Sequence, residues 1–217
     1  MRIAIQNKGR LSELSIAFLR SSGLSFQPNG RSLITRCDNE DVEILYLRSA
    51  DIPEYVRRGV ADFGIVGRNV LEEKEIDLPI LRSLDFGQCR LVIAVPQKSS
   101  IQSIQDLEGE RIATSYPNTL SCYLKKQGVS ASIIPLRGSV EAAPALDLAD
   151  AICDLVQTGK TLKDNGLTPL VTVLESEAVL ITNLHRIKTE PLLRCMRVSG
   201  CGADCGFTPS SNYYFNL

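Results

Sequence analysis

From its first residue the chain alternates short apolar strands with segments of helical period, and no other feature constrains its fold as strongly. Such alternation over 217 residues points to an α/β protein with mainly parallel sheet. Residues 2–6 read as a strand that runs into the polar loop Asn7-Lys8-Gly9-Arg10. Leu11, Leu14, Phe18 and Leu19 then share one helical face, and Gly23 supplies the stop. Strands at 32–36 and 42–47 follow, with a helix opened by Asp51 that carries Pro53 near its first turn. The run 61–67 is a short strand leaving into a glycine turn, succeeded by a helix at 69–74.

A polar segment at 85–90 precedes the apolar strand 91–95 and marks a change of unit. The next unit holds strands near 111–114, 132–135, 151–156 and 170–174, interleaved with helices near 117–127, 140–146 and 161–165. A last strand at 178–182 crosses back to the first unit. The pattern gives two α/β lobes around a cleft, the second inserted into the first: residues 1–90 plus 178–197 as lobe I and 91–177 as lobe II. Residues 187–197 are helix-compatible, whereas 198–217 lack periodicity and are expected to form an irregular tail.

Composition narrows the chemistry. With 44% hydrophobic residues, 23% charged and a net charge of −1, the chain is neither disordered nor a generally basic nucleic-acid binder. A chain of this mass buries about 70% of its unfolded surface and needs no covalent staples. No stretch approaches a membrane span and the opening apolar run is too short for a signal core, so the cytoplasm is the expected location. Seven cysteines form an odd set; Cys195, Cys201 and Cys205 lie close together but make no C-x-x-C pair, and free thiols are expected rather than a metal site. The single histidine, His185, excludes any site built on two or three imidazoles and is read as a surface residue. Chemistry therefore falls to arginine, lysine, carboxylates and backbone amides.

One segment gathers these groups. The apolar strand 151–156 delivers Asp154 near its C-terminal end, and Gln157-Thr158-Gly159-Lys160-Thr161 then turns into a helix. Backbone amides at a helix start, with the favourable end of its dipole, make an anion cradle that glycine lets a phosphate approach. A carboxylate just before such a loop suits a ribose, whose vicinal hydroxyls donate to its oxygens. Together they read as a 5-phosphoribosyl site. The plainer alternative is that Asp154 is a turn residue and Thr161 a helix N-cap.

The stretch from Glu141 through Asp147, Asp150 and Asp154 to Thr158-Gly159-Lys160-Thr161-Leu162 resembles the signature of the ATP phosphoribosyltransferase family. Further matching pieces are Asn7-Lys8-Gly9-Arg10-Leu11, Arg48 to Pro53, Asp62 to Gly67, Asp85 to Arg90 and Arg111 to Pro117, so the similarity spans about 1–182. One position departs: the family usually has glycine where this chain has Asp147. The resemblance implies a fold like the type II periplasmic binding proteins. It also implies a Mg²⁺-dependent reaction in which N1 of ATP displaces pyrophosphate from 5-phosphoribosyl 1-pyrophosphate (PRPP), the first step of histidine biosynthesis.

On that resemblance Gln157, Thr158, Gly159, Lys160 and Thr161 hold the 5-phosphate, and Asp154, with Asp150 second, takes the ribose hydroxyls. Lys8 and Arg10 reach polyphosphate from the opposite lobe, and Arg48, Asp85 and Arg90 line the ATP and pyrophosphate side. Glu141 contacts the adenine or ribose side, or caps the 140–146 helix. Mg²⁺ is expected on substrate oxygens, with carboxylates supplying one or two ligands at most and no protein metal site assigned. Adenine N1 already carries a lone pair, so no histidine base is demanded. Implied partners are ATP and PRPP, a homo-oligomer of two or more copies, and a separate synthetase-like regulatory subunit, with no nucleic acid or membrane. The length matches the family's short form, yet the opening and the 85–90 segment look like its long form, which suggests a long form truncated or frame-shifted after Met196 and lacking histidine feedback. Readings of a different class are a non-catalytic solute-binding module and a nucleobase phosphoribosyltransferase.

Overall fold

A computed structural model describes residues 1–28 and 32–183. His185, Cys195, Cys201, Cys205, the helix expected at 187–197 and the tail expected at 198–217 lie outside the described residues. The chain runs β1 (Arg2–Gln6), α1 (Arg10–Ser21), β2 (Ile34–Arg36), β3 (Glu43–Leu47), α2 (Ile52–Arg57), β4 (Phe63–Gly67), α3 (Arg68–Lys74), β5 (Ile80–Ser83) and β6 (Cys89–Pro96). It continues through β7 (Arg111–Thr114), α4 (Pro117–Gln127), β8 (Ser132–Pro135), β9 (Ala151–Val156), α5 (Lys160–Asp164), β10 (Leu167–Ser176) and β11 (Ala178–Thr182).

The strands form two sheets of order β2-β3-β1-β4-β11-β5 and β10-β6-β9-β7-β8. These are the two α/β lobes, with the second sheet inserted between β5 and β11 of the first. Alternate side chains explain each lobe's layering. In the first sheet Ile3, Ile5, Ile44, Phe63 and Ile65 pack with Leu19 of α1 on one face. Ala4, Leu45, Val66 and Val179 pack with Ile52 and Val56 of α2 and Leu71 of α3 on the other. The second sheet sends Leu91, Ile93, Ile112 and Cys153 toward Leu120 and Leu124 of α4. Its opposite face sends Val92, Ala94, Ile152 and Val156 toward Val140, Ala143 and Leu162. Each buried aliphatic side chain contributes about 1.5–3 kcal/mol relative to exposure, so covering both faces of both sheets dominates the stability.

The structure corrects three expectations. The sheets are mixed, not mainly parallel: β1 pairs parallel with β3 and β4, and β7 with β8 and β9, but β6 runs antiparallel to β9 and β10. β11 is antiparallel to β4 and β5, and β2 to β3. The antiparallel members include β6 and β10–β11, the strands that cross between lobes, which are not joined to their neighbours by helical crossovers. The helix expected at 140–146 is instead two 3₁₀ turns, Val140–Ala142 and Pro144–Leu146. Pro144 has no N–H to continue an α-helical ladder, and the chain tightens into Ala143 N–H to Val140 and Asp147 N–H to Pro144 bonds. Asp51 ends a 3₁₀ turn and makes no side-chain cap on α2.

Candidate active site

The C-terminal ends of the helix-connected strands of both lobes face one cleft of about 920 Å³. This is where α/β sheets place ligands, because loops diverge there and helix N-termini converge. From lobe I come Gln6 at the end of β1, Arg10 at the start of α1, Ser49 after β3, Gly67 at the end of β4 and Asn69 in α3. From lobe II come Tyr116 after β7, Arg137 after β8 and Leu155 and Gln157 at the end of β9.

The loop after β9 has the geometry its sequence suggests. Gly159 is the residue before α5 and takes φ +76°, a conformation that L side chains rarely adopt. No side chain caps this helix, so Thr161 is not an N-cap; it sits inside the first turn, exposed, beside amides that have no intrahelical acceptor. Thr158 and Lys160 are likewise exposed. Across the cleft, the Arg10 guanidinium donates to Gln157 Oε1 at 2.8 Å and ties the first loop of lobe I to this loop of lobe II. Lys8 is exposed in the same lobe I loop, where its carbonyl accepts a 2.7 Å bond from Gln6 Nε2.

Asp154 is half-buried on the face of β9 that carries Ile152 and Val156, and accepts the Leu155 N–H at 2.8 Å. Burial pushes its carboxyl above the usual carboxylate range, opposed by that amide and reinforced by the nearby charge of Glu141. The structure thus brings Asp154 and Glu141 within electrostatic reach, with Glu141 on a 3₁₀ turn and not capping a helix. Among the described residues no three His, Cys, Asp or Glu side chains gather as a metal-holding group.

Asp150 is not brought to this loop. It precedes the first residue of β9, at the opposite end from Gln157, and holds Arg111 through Nε at 2.9 Å, Nη2 at 2.8 Å and the backbone N–H at 2.9 Å. Arg111 pulls its carboxyl down to about 2. The same guanidinium donates to the Asp147 carbonyl at 2.9 Å and to Asp147 Oδ1 at 3.1 Å. Asp147, standing where glycine is usual, adopts φ +55°, so the left-handed backbone survives the side chain.

Arg48 is exposed directly after β3, beside the cleft residue Ser49. Asp85, at φ +55°, and Arg90 are both exposed in the segment joining the lobes. Sequence reasoning missed Asn69, Glu73 and Tyr116. Glu73 of α3 accepts the Asn118 N–H at 3.2 Å, the Thr119 N–H at 3.0 Å and the Thr119 hydroxyl at 2.9 Å. It caps α4 from the other lobe. Only the polar residues after β4 and β7 hinted at these contacts.

The family model for ATP phosphoribosyltransferase matches residues 48–197. An ATP phosphoribosyltransferase of Cytophaga hutchinsonii is 48% identical over 180 residues, which cover 83% of this chain and 63% of that one. The chain thus spans somewhat under two thirds of the length of that curated relative. Among solved structures, the ATP phosphoribosyl transferase (HisG:HisZ) complex from Thermotoga maritima matches with TM-score 0.77 and 32% identity, covering 91% of this chain and 97% of that one. The alkanesulfonate-binding protein SsuA from Xanthomonas axonopodis pv. citri matches with TM-score 0.52 and 20% identity, covering 85% and 65% of the two chains, a likeness of fold alone. With its matched signature loop facing the lobe I loop across the cleft, the chain belongs to the ATP phosphoribosyltransferase family.

Proposed function

We propose that the chain transfers the 5-phosphoribosyl group of PRPP to N1 of ATP, giving N1-(5-phospho-β-D-ribosyl)-ATP and pyrophosphate, the first step of L-histidine biosynthesis. The observation that carries this reading is the loop 157–161. It follows a strand bearing a half-buried Asp154, opens an uncapped helix, and is bridged by Arg10 from the facing lobe.

In this reading the amides of Lys160 and Thr161 and the hydroxyls of Thr158 and Thr161 hold the 5-phosphate. Gly159 admits it, and Gln157 stands at the edge. Asp154 accepts from the ribose hydroxyls and, once ionised, faces the positive charge that develops on the ring as the C1–O bond breaks. Its raised affinity for a proton is lowered again by a positively charged sugar beside it. Glu141 lies on the same side, toward ribose or adenine. Lys8, Arg10, Arg48 and Arg90 are the cations for the departing pyrophosphate and the triphosphate of ATP, and Asp85 is assigned to the same side. Adenine N1 attacks with its own lone pair, so the residues need only orient it and exclude water. Mg²⁺, when bound, would supply positive charge to the pyrophosphate and would be held mainly by substrate oxygens, with Asp154 and Glu141 the carboxylates that would contribute hard oxygen ligands from this side of the cleft. Asp150 takes no part and serves as the Arg111 anchor.

The reading includes a homo-oligomer of two or more copies, a separate synthetase-like regulatory subunit and a cytoplasmic location. The regulatory subunit is supported by the HisG:HisZ composition of the Thermotoga maritima complex. The test is incubation with ATP, PRPP, Mg²⁺ and pyrophosphatase, with and without a regulatory subunit, followed by mass spectrometry for phosphoribosyl-ATP. Product is expected. No product under either condition, with tight binding of an unrelated solute, overturns the reading in favour of a solute-binding module.

A further inference from the structure

A chain of buried polar groups joins the lobes beside the cleft and has no part in the roles above. Asn69 and Ser176 are 5% and 6% exposed, and Thr114 is fully buried. Asn69 lies in the first turn of α3 in lobe I, and Ser176 ends β10 in lobe II. A Cβ at position 67 would stand 2.3 Å from Asn69 Oδ1, so Gly67 is what lets this side chain fold back over the strand end.

The hydrogen bonds give the donor directions around Asn69, and Cys89 is a second neighbour of the Ser176 hydroxyl. The Asn69 backbone N–H donates to Ser176 Oγ at 3.0 Å. That uses a lone pair of Ser176, whose own hydroxyl donates to Asn69 Oδ1 at 2.9 Å. With its oxygen committed to Ser176, the Asn69 side chain presents its NH₂ to the Tyr116 hydroxyl at 3.4 Å. An amide NH₂ is a donor only, so the Tyr116 proton cannot point back along this bond. From below, the Tyr116 N–H donates to Thr114 Oγ1 at 2.9 Å, and the Thr114 hydroxyl donates to the Cys153 carbonyl at 2.6 Å. Tyr116 is thereby tied to the residue preceding Asp154 and lines the cleft. Burial and the Asp154 charge both push its phenol upward, which keeps the hydroxyl protonated.

We propose that Asn69 is a positioning residue that makes Tyr116 a one-way hydrogen-bond donor into the cleft, aimed at an oxygen of the phosphoribosyl donor on the Asp154 side. Donor and acceptor then address the substrate as a pair: Tyr116 donates where Asp154 accepts. The inference rests on the proposed transfer reaction for the nature of the substrate, whereas the exclusion of Asn69 as the acceptor of the Tyr116 proton follows from the hydrogen bonds alone.

The experiment uses the whole chain with Mg²⁺ and PRPP, read by calorimetry, and with ATP added, read by turnover. Tyr116→Phe removes the donor and keeps the ring. Asn69→Asp replaces the NH₂ with an acceptor oxygen that draws the Tyr116 proton away from the cleft. Ser176→Ala frees the amide to flip without adding a buried charge, and guards against misfolding of the Asn69→Asp protein. Each of the first two is expected to lower kcat/KM for PRPP by roughly ten- to a hundredfold, with KM for ATP little changed. Ser176→Ala is expected to give a smaller loss, and neither Asn69→Asp nor Ser176→Ala adds to the loss in the Tyr116→Phe background. An active wild type with an unimpaired Tyr116→Phe protein, or losses that multiply in the double variants, overturns the donor and leaves the transfer reaction standing. A wild type that neither binds nor consumes PRPP overturns the reaction and the inference together.

Discussion

Replacing Glu73 with alanine tests whether the two lobes are held together by a cap shared between them. α4 begins after Tyr116, which supplies no side-chain cap, and its first-turn amides at Asn118 and Thr119 are met instead by the Glu73 carboxylate from α3. The Thr119 hydroxyl adds a third bond to the same carboxylate. Loss of an ordinary N-cap costs about 0.5–2 kcal/mol, and hydrogen bonds to a charged group are worth about 1.5–3 kcal/mol. Glu73 is half-buried, so the two effects overlap and water recovers part of the loss; the expected cost is about 1.5–3 kcal/mol. The Asn118 Nδ2 bond to the Glu73 carbonyl, at 2.9 Å, is untouched by the substitution and keeps the helices in register. For a chain of this size that cost lowers Tm by roughly 3–12 °C. Urea unfolding followed by circular dichroism gives the free energy, and Glu73→Gln, which keeps an acceptor oxygen without the charge, should fall between wild type and alanine. A Glu73→Ala protein within about 0.5 kcal/mol of wild type refutes the shared cap, since surface substitutions without such a role stay in that range.

Three further outcomes follow from other contacts. Asp154→Asn and Thr161→Ala should weaken use of PRPP by at least tenfold while leaving urea midpoints near wild type; equal losses of stability and activity would return both residues to structural roles. Asp150 is held by Arg111 with its carboxyl lowered to about 2, so its contribution is complete above the unfolded value near 4 and fades as pH falls from about 4 through 2. Asp150→Asn should therefore be less stable than wild type at neutral pH and show a shallower acid decline in that window, whereas parallel pH profiles would contradict the pairing. At position 147, valine in the left-handed region should cost about 1–2 kcal/mol, while glycine should change stability by under about 1 kcal/mol because the lost Arg111 contact is largely exposed. Thermal melts of the two variants decide it.

Where local pattern and fold agreed, the sequence was readable to the residue. β7, β8, β9, α4 and β11 carry β-branched runs or a proline start and glycine stop that no tertiary contact overrides. β5 is different: it is an edge strand with three of its four residues exposed, so no apolar alternation announces it. The 140–146 segment has helical composition, but Pro144 removes the donor that a helix would need. Strand direction was legible only in part, because a run such as Leu91 to Val95 looks the same whichever way its neighbour points. For the candidate site, the glycine turn into α5 at 157–161 could be read because its residues are contiguous. Asn69, Glu73 and Tyr116 could not: each acts on a partner more than 40 positions away, and only the folded chain brings α3 against α4 and β10.

The antiparallel pairing of β6 with β9 decides where the connections between the lobes lie relative to the candidate site. Parallel strands joined by helices would start β6 at the far end of the sheet, but the observed register sets Arg90 opposite Val156 and Leu91 opposite Leu155. The strand that enters lobe II from the inter-lobe segment therefore starts beside the last residues of β9, one position before Gln157. On the other side, β10 returns with Glu175 opposite Arg90 and Ser176 opposite Cys89 before the chain passes through Glu177 into β11. Both connections between the lobes thus converge at the end of the sheet that carries the loop. The two lobes are thus joined next to Asp154 and the loop 157–161. The Arg10 bond to Gln157 at 2.8 Å therefore crosses between the lobes beside the point where both of their connections meet lobe II.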